Sequence, residues 1–159
     1  MKRMCIVSAF AALAIGCGDD DPAPIATVIS ASPDVLDPSR DDADDLSIIV
    51  EYSDADGDLG QGSAQVIDCR ASDVVILYDI PPIANEQAIA DGVPIVGELE
   101  LIVNDVGEIE LDSRAPTVCE ELGVEDPTAG QVTFCVVLTD AGGNEGVGDC
   151  TAAVAIEAS

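Results

Sequence analysis

Alternating apolar and polar residues, the pattern of a half-buried β-strand, recur along most of the chain after residue 25. In residues 98–101 and 107–111, for example, acidic side chains occupy one parity and aliphatic side chains the other, so each strand would have one wet and one dry face. The high content of β-branched residues also favours strands. Together these patterns predict eight strands, at residues 26–30, 46–53, 64–68, 74–78, 96–103, 108–111, 132–139 and 146–156.

Turns rich in glycine and proline separate these strands. Helix signals are weak, and residues 85–90 and 117–122 are the best candidates for one or two helical turns. Seven or eight short strands at this spacing are typical of an antiparallel β-sandwich. We therefore expect an all-β domain with very little helix.

The first 16 residues follow a different pattern. Lys2 and Arg3 give the chain a basic start, and residues 4–16 are apolar apart from Ser8. A basic start followed by a short apolar run is the layout of a secretory signal peptide. The run is too short to span a membrane as a helix of the mature protein. The sequence therefore predicts that residues 1–16 are an export signal.

The end of this signal carries a short motif. Residues 13–17, Leu-Ala-Ile-Gly-Cys, resemble the lipobox of bacterial lipoproteins, with Ala14 where that motif prefers Leu. The resemblance implies that Cys17 is acylated and anchors the protein to a membrane, and Gly18 in place of Asp favours the outer over the inner membrane. Residues 17–24 would be the lipid-anchored tether and residues 25–159 the folded domain. The alternative is an ordinary signal peptide with a chance cysteine near its cleavage point.

The net charge of the chain limits the classes of partner that it can bind. The net charge is −27, from 5 basic and 32 acidic residues, and the basic residues after residue 16 are Arg40, Arg70 and Arg114. The domain therefore lacks the clustered Lys and Arg that bind nucleic acid or anionic lipid headgroups. A cationic partner, a metal ion or simple solubility remains as an explanation of the charge. Because 48% of the residues are hydrophobic, we expect the domain to fold in spite of it.

Four cysteines follow the tether: Cys69, Cys119, Cys135 and Cys150. An even number in an exported chain predicts two disulfides, and the absence of His and of a Cys-x-x-Cys spacing argues against zinc. Three pairings are possible. Cys135 and Cys150 are symmetrical about residues 142–143, so a two-residue turn there would place them opposite one another. This favours Cys135–Cys150 with Cys69–Cys119, although the register would make the first pair a hydrogen-bonded one, which is the wider type.

The composition also bears on catalysis. The chain has no His and no Lys after Lys2, which removes the commonest general base and the Schiff-base nucleophile. Disulfide formation would remove the thiolates as well. Hydrolysis by paired carboxylates remains, but acids such as Glu98 and Glu100 lie two apart on one strand and share a solvated face. We therefore expect no enzymatic activity, with a carboxylate-based hydrolase as the alternative.

Two stretches resemble a known fold family. Residues 52–59, Tyr-Ser-Asp-Ala-Asp-Gly-Asp-Leu, resemble the Asp-rich loop of bacterial extracellular immunoglobulin-like and cadherin-like modules. Residues 136–144, Val-Val-Leu-Thr-Asp-Ala-Gly-Gly-Asn, resemble their final hairpin. The resemblance implies an antiparallel immunoglobulin-like β-sandwich of seven to eight strands. The chain departs from those modules in its acidic stretch at 41–45, its insertion at 81–94 and its cysteines.

An anchored domain of this kind suggests two functions. One is a non-catalytic binding or adhesion module that contacts an envelope or extracellular protein, or a glycan. The other is a structural envelope lipoprotein that contributes an acidic coat without a specific ligand. A deep pocket or an exposed apolar patch would favour binding, whereas a uniformly acidic surface without a concavity would favour the structural role.

One loop carries the pattern of a metal site. Asp54, Asp56 and Asp58 alternate as the first three oxygen ligands of a calcium loop do, although Leu59 stands where the tight-turn Gly of an EF-hand belongs. The loops after residues 46–53 and 132–139 would lie at the same end of a sandwich. Further ligands could then come from Asp140, Asn144 or Glu145. The alternative is an ordinary solvated turn, so the expected cofactor is none or calcium.

Overall fold

Strands are the main regular secondary structure of this computed structural model, which describes residues 22–39, 44–71, 74–83, 89–107, 114–126 and 128–157. Helix is confined there to α1 (Thr117–Glu121) and residues 89–90. The strands of the described residues are β1 (Ile25–Ser32), β2 (Val35–Leu36), β3 (Leu46–Asp54), β4 (Ser63–Asp68), β5 (Val75–Asp79), β6 (Ile95–Val103), β7 (Gln131–Val132), β8 (Phe134–Thr139), β9 (Asp149–Cys150) and β10 (Val154–Ile156). The prediction of an all-β domain is confirmed.

Strand β3 is the centre of the first antiparallel sheet, whose order is β1–β3–β6. It pairs with β6 along its whole length, from Leu46 opposite Val103 to Asp54 opposite Ile95. Every second residue of β3 is buried, as the alternation of the sequence predicts. Strand β1 pairs with the other edge of β3 and shifts its register once, between Val28 and Ser30.

The second antiparallel sheet has the order β5–β4–β8–β9. All residues of β8 from Phe134 to Leu138 are buried. Phe134, Val136 and Leu138 join the main core, whereas Cys135 and Val137 belong to a second apolar cluster. Because both faces of β8 are covered, its sequence is a continuous apolar run rather than an alternating one.

The main hydrophobic core takes side chains from both sheets. Ile48 and Val50 of β3 belong to the same cluster as Val66 of β4 and Val136 of β8. Aliphatic side chains dominate this core because aromatic residues make up 3% of the sequence. At one edge the two sheets are also joined by Tyr78 of β5, whose hydroxyl donates a hydrogen bond of 2.6 Å to the carbonyl of Ile102 on β6. Partial burial raises the pKa of Tyr78.

The second apolar cluster contains both disulfides. Cys69–Cys119 ties α1 to the end of β4, and Cys135–Cys150 ties β8 to β9. The two bonds pack together, since Sγ of Cys69 lies 3.4 Å from Sγ of Cys135. The pairing favoured by the sequence is therefore present, and α1 covers the outer face of the second sheet through the buried Cys119.

The hairpin between β8 and β9 differs from its prediction. Its loop contains three residues, 141–143, rather than two, because the amide of Asp140 donates to the carbonyl of Asn144. Thr139 lies opposite Glu145, but Cys135 lies opposite Cys150, so the second strand contains one additional residue. This irregularity makes the cysteines a close pair, with Cα atoms 4.0 Å apart, rather than the wider hydrogen-bonded pair that the unbroken register required.

Other predicted elements are divided or lie outside the described residues. The strand predicted at 146–156 is divided into β9 and β10. Strand β9 belongs to the second sheet, whereas β10 pairs with β2 in parallel and with β7 antiparallel. The strand predicted at 132–139 is likewise broken at Thr133. The strand predicted at 108–111 and residues 85–88 of the first predicted helix lie outside the described residues, whereas the helix predicted at 117–122 is present as α1.

The signal peptide and most of the tether, residues 1–21, also lie outside the described residues. In the part of the chain that the structure does describe, no helix has the length and apolar character needed to cross a bilayer.

Candidate functional site

The aspartate loop, residues 54–62, connects β3 to β4 and begins at the last residue of β3. Leu59 is fully buried and fixes the middle of the loop to the main core. Gly57 has a φ of 80°, in the left-handed region, and a Cβ there would clash with the carbonyl of Val93. The glycine therefore lets the loop turn sharply against the segment that precedes β6.

The side chains of Asp54, Asp56 and Asp58 meet in this loop. One carboxylate oxygen from each lies within 4.8 Å of those from the other two. Asp54 is 1% exposed, and its Oδ2 accepts a hydrogen bond of 2.8 Å from the amide of Leu59. Its Oδ1 and the Oδ1 of Asp56 are buried and have no hydrogen-bond partner. The loop thus concentrates negative charge and leaves at least two buried oxygens unsatisfied.

Compensating side-chain charge lies elsewhere in the described residues. Their basic side chains are Arg70 and Arg114, which pair with Asp68 at 2.6 Å and with Glu120 at 3.5 Å, respectively. Buried carboxylates without a cation or hydrogen bonds are costly. A cation bound in the aspartate loop would therefore offset part of the cost of burying the Asp54 carboxylate.

The hairpin loop between β8 and β9 touches the aspartate loop. The amide of Ala141 donates to the carbonyl of Asp58 at 3.3 Å. The buried carboxylate of Asp140 is engaged by its own loop, since its Oδ1 accepts from the amide of Asn144 at 2.8 Å and its Oδ2 from the Asn144 side chain at 3.0 Å. Glu145 is exposed. The structure therefore brings together the three aspartates, while the carboxylate of Asp140 holds the hairpin.

A cavity of about 400 Å³ lies beside the disulfides, between the segment after α1 and strands β7 and β9. Cys69 and Cys150 line it. Polar residues also line it, among them Glu125, Asp126, Thr128, Gln131, Asp149 and Thr151. Sequence reasoning missed this cavity because its walls come from segments that only the tertiary fold brings together, and no local motif marks it.

Arg70 at the border of this cavity is a second feature that sequence reasoning missed. Its side chain is 3% exposed and donates hydrogen bonds to both carboxylate oxygens of Asp68. It also donates to the carbonyls of Val106 and Gly107, at 2.8 and 2.9 Å. All these partners are fixed within the protein, so Arg70 joins the end of β4 to the segment after β6 and has a structural role.

Exposed apolar residues form a row on the outer face of the first sheet. Ile25 of β1 lies beside Val147 and opposite Ser53 of β3, which lies opposite Val96 of β6. Ile25, Val96 and Val147 are 53%, 68% and 70% exposed. Directly paired residues share one face of a sheet, so the row is continuous apart from Ser53. The surface is thus not uniformly acidic.

No family model matches the sequence, and neither a curated protein nor a solved structure matches it. A functional proposal therefore depends on the residues of this chain and on their arrangement.

Proposed function

We propose that this protein is an exported lipoprotein, anchored through Cys17 to a bacterial envelope membrane, with a non-catalytic binding module as its folded domain. The export signal and lipobox-like residues at the N-terminus support the anchor. The two disulfides support an oxidising compartment outside the cytoplasm. The lack of His, and of Lys after Lys2, supports a non-catalytic role.

The strand arrangement supports an immunoglobulin-like sandwich as the fold of this module. In that fold the second and fifth strands are neighbours in one sheet, and the third, sixth and seventh are neighbours in the other. Strands β3 and β6 correspond to the first set, and β4, β8 and β9 to the second. Strands β1 and β5 then occupy the outer edges of the two sheets, and the core they share is the one expected of a sandwich.

The polar cavity is the observation that favours binding over a purely structural role. Its volume of about 400 Å³ lies within the range of ligand sites. The acidic residues Glu125 and Asp126 line it together with threonines. A third acidic residue of the lining, Asp149, already accepts hydrogen bonds at both carboxylate oxygens, from the amides of Val28 and Cys150. Such a lining suits a ligand with hydroxyl or ammonium groups, because these donate hydrogen bonds to carboxylate oxygens.

A bulky side chain in the cavity tests the binding function. Ala153 is exposed and lines the cavity, whereas its neighbour Ala152 is also exposed and does not line it. We expect the intact protein and its Ala152→Phe variant to capture the same envelope component in an affinity pull-down, and Ala153→Phe to lose at least about 90% of it, since 1.4 kcal/mol is tenfold in affinity. Equal capture by both variants, or none above an equally acidic control protein, would favour the structural lipoprotein instead.

A substitution of Cys17 tests the anchor. We expect the wild-type protein to partition into detergent and its N-terminal peptide to carry the mass of acyl chains at Cys17. The Cys17→Ser variant should stay in the aqueous phase or retain its signal peptide. A mature N-terminus at another residue, without added mass, would contradict the lipoprotein proposal and leave the binding module to be tested separately.

A further inference from the structure

We propose that the aspartate loop binds one calcium ion through the carboxylates of Asp54, Asp56 and Asp58. This site lies at the end of β3, and it depends neither on the lipid anchor nor on a ligand in the polar cavity. The proposal thus goes beyond the proposed function and can fail independently of it.

Burial of an unsatisfied oxygen is the observation that separates this loop from an ordinary acidic turn. Asp54 is 1% exposed, and Oδ1 of its carboxylate has no hydrogen-bond partner although Oδ2 has one. In a solvent-exposed turn, such an oxygen would accept hydrogen bonds from water. Here the oxygen is shielded, and one oxygen each of Asp56 and Asp58 lies within 4.8 Å of a carboxylate oxygen of Asp54. A cation between the three carboxylates would satisfy the buried oxygen and cancel the mutual repulsion.

The donor set selects a hard cation. The three side chains offer oxygen alone, without the imidazole or thiolate ligands that zinc, copper and nickel prefer. Calcium accepts six to eight oxygen ligands in flexible geometry, so backbone carbonyls and water can complete the set. Magnesium demands an octahedron at shorter distances and gives up its water reluctantly. Three carboxylates on one short loop therefore fit calcium better than magnesium.

A bound ion would also act beyond its ligands. Asp54 belongs to β3, and the carbonyl of Asp58 accepts a hydrogen bond from Ala141 in the β8–β9 hairpin loop. The ion would therefore stabilise the loop that connects the first and second sheets. It would also stabilise the β8–β9 hairpin loop, which contacts the aspartate loop. Because calcium binds the folded chain and not the unfolded one, it should raise the melting temperature by mass action.

Calorimetry and thermal unfolding of the chelator-treated full chain test the site. At about 0.15 M NaCl, where exposed charges are screened within about 8 Å, we expect one calcium ion per chain with a Kd of about 10⁻⁴–10⁻³ M, as in other extracellular modules. Calcium at about 10 mM should raise the melting temperature by about 3–10 °C. Magnesium at the same concentration should produce less than half of this shift.

The Asp56→Asn variant separates a metal ligand from a structural side chain. We expect it to weaken calcium binding by about tenfold or more, yet to melt at a higher temperature than wild type in chelator, because it removes one of three repelling charges. Asp34→Asn is the matched control, since Asp34 is exposed and follows β1 at the opposite end of the first sheet. It should respond to calcium as wild type does.

Several results would overturn the proposal. These are the absence of a saturable single ion, an equal response to magnesium, and an unchanged calcium response in Asp56→Asn. A loss of stability in Asp56→Asn that is the same with and without calcium would also overturn it, because that result assigns the carboxylate a structural role.

Discussion

Replacing Arg70 with methionine is expected to destabilise the folded chain by about 3–5 kcal/mol, because it leaves the carboxylate of Asp68 buried without its partner. Asp68 is 2% exposed, and three nitrogen atoms of Arg70, including its backbone amide, donate to that carboxylate. The carbonyls of Val106 and Gly107 would lose their donor as well. Urea unfolding of the two proteins measures the difference.

Two further variants make this prediction specific to the buried ion pair. Arg114 is 76% exposed and pairs with Glu120 at 3.5 Å, so Arg114→Met should cost no more than about 0.5 kcal/mol. The double variant Asp68→Asn, Arg70→Met removes both charges and should be at least about 1 kcal/mol more stable than Arg70→Met alone. A cost for Arg70→Met no larger than that of Arg114→Met would contradict the assignment.

The strands that the sequence predicts best are those with one solvent-exposed face and one buried face. Strands β3 and β6, predicted at 46–53 and 96–103, differ from the structure by one residue at one end. Their alternation is a local property, and burial of one face of the first sheet requires it. A different pattern, a continuous apolar run, predicts strand β8. This run arises because α1 and the main core cover the two faces of the strand.

The short strands β2, β10 and β7, which form a separate sheet in that order, could not be predicted in the same way. Strands β2, β7 and β10 contain two or three residues each and pair with segments distant in sequence. An apolar run has the same appearance whether its strand continues or changes partner, so the breaks at Thr133 and at residues 151–153 carry no local signal. They follow from the tertiary pairing of β10 with β7.

The functional features likewise include some that follow from local sequence and others that depend on long-range contacts. The spacing of Asp54, Asp56 and Asp58 is local, and it is enough to bring their carboxylates together in one loop. The carboxylate of Asp140 is held instead by a local interaction, because Asn144, four residues away, donates hydrogen bonds to both of its oxygens. The ion pair of Arg70 and the polar cavity depend on long-range contacts, which is why sequence reasoning found neither.

Removing the disulfides is expected to have effects that differ with the length of chain each one closes. Cys69–Cys119 spans 50 residues and Cys135–Cys150 spans 15. The chain-entropy relation then gives a loss of about 4 kcal/mol for the Cys69→Ala, Cys119→Ala variant and about 3 kcal/mol for the Cys135→Ala, Cys150→Ala variant. The first variant should lose more for a structural reason as well, because this bond holds α1 on the second sheet. The second bond joins strands that retain hydrogen bonds between their backbones, such as that from Thr151 to Phe134.

Urea unfolding of the two double variants, each compared with wild type, measures this order. Because each variant lacks both cysteines of one disulfide, the two cysteines that remain in residues 25–159 can pair within the domain only with each other, and peptide mapping under non-reducing conditions verifies the surviving bond. We further expect reduction of wild type to lower its stability by more than either variant does, since both loops are then released. If the Cys135–Cys150 variant loses more stability than the Cys69–Cys119 variant, loop length does not govern these bonds, and direct packing between them, with the two sulfur atoms 3.4 Å apart, becomes the larger contribution.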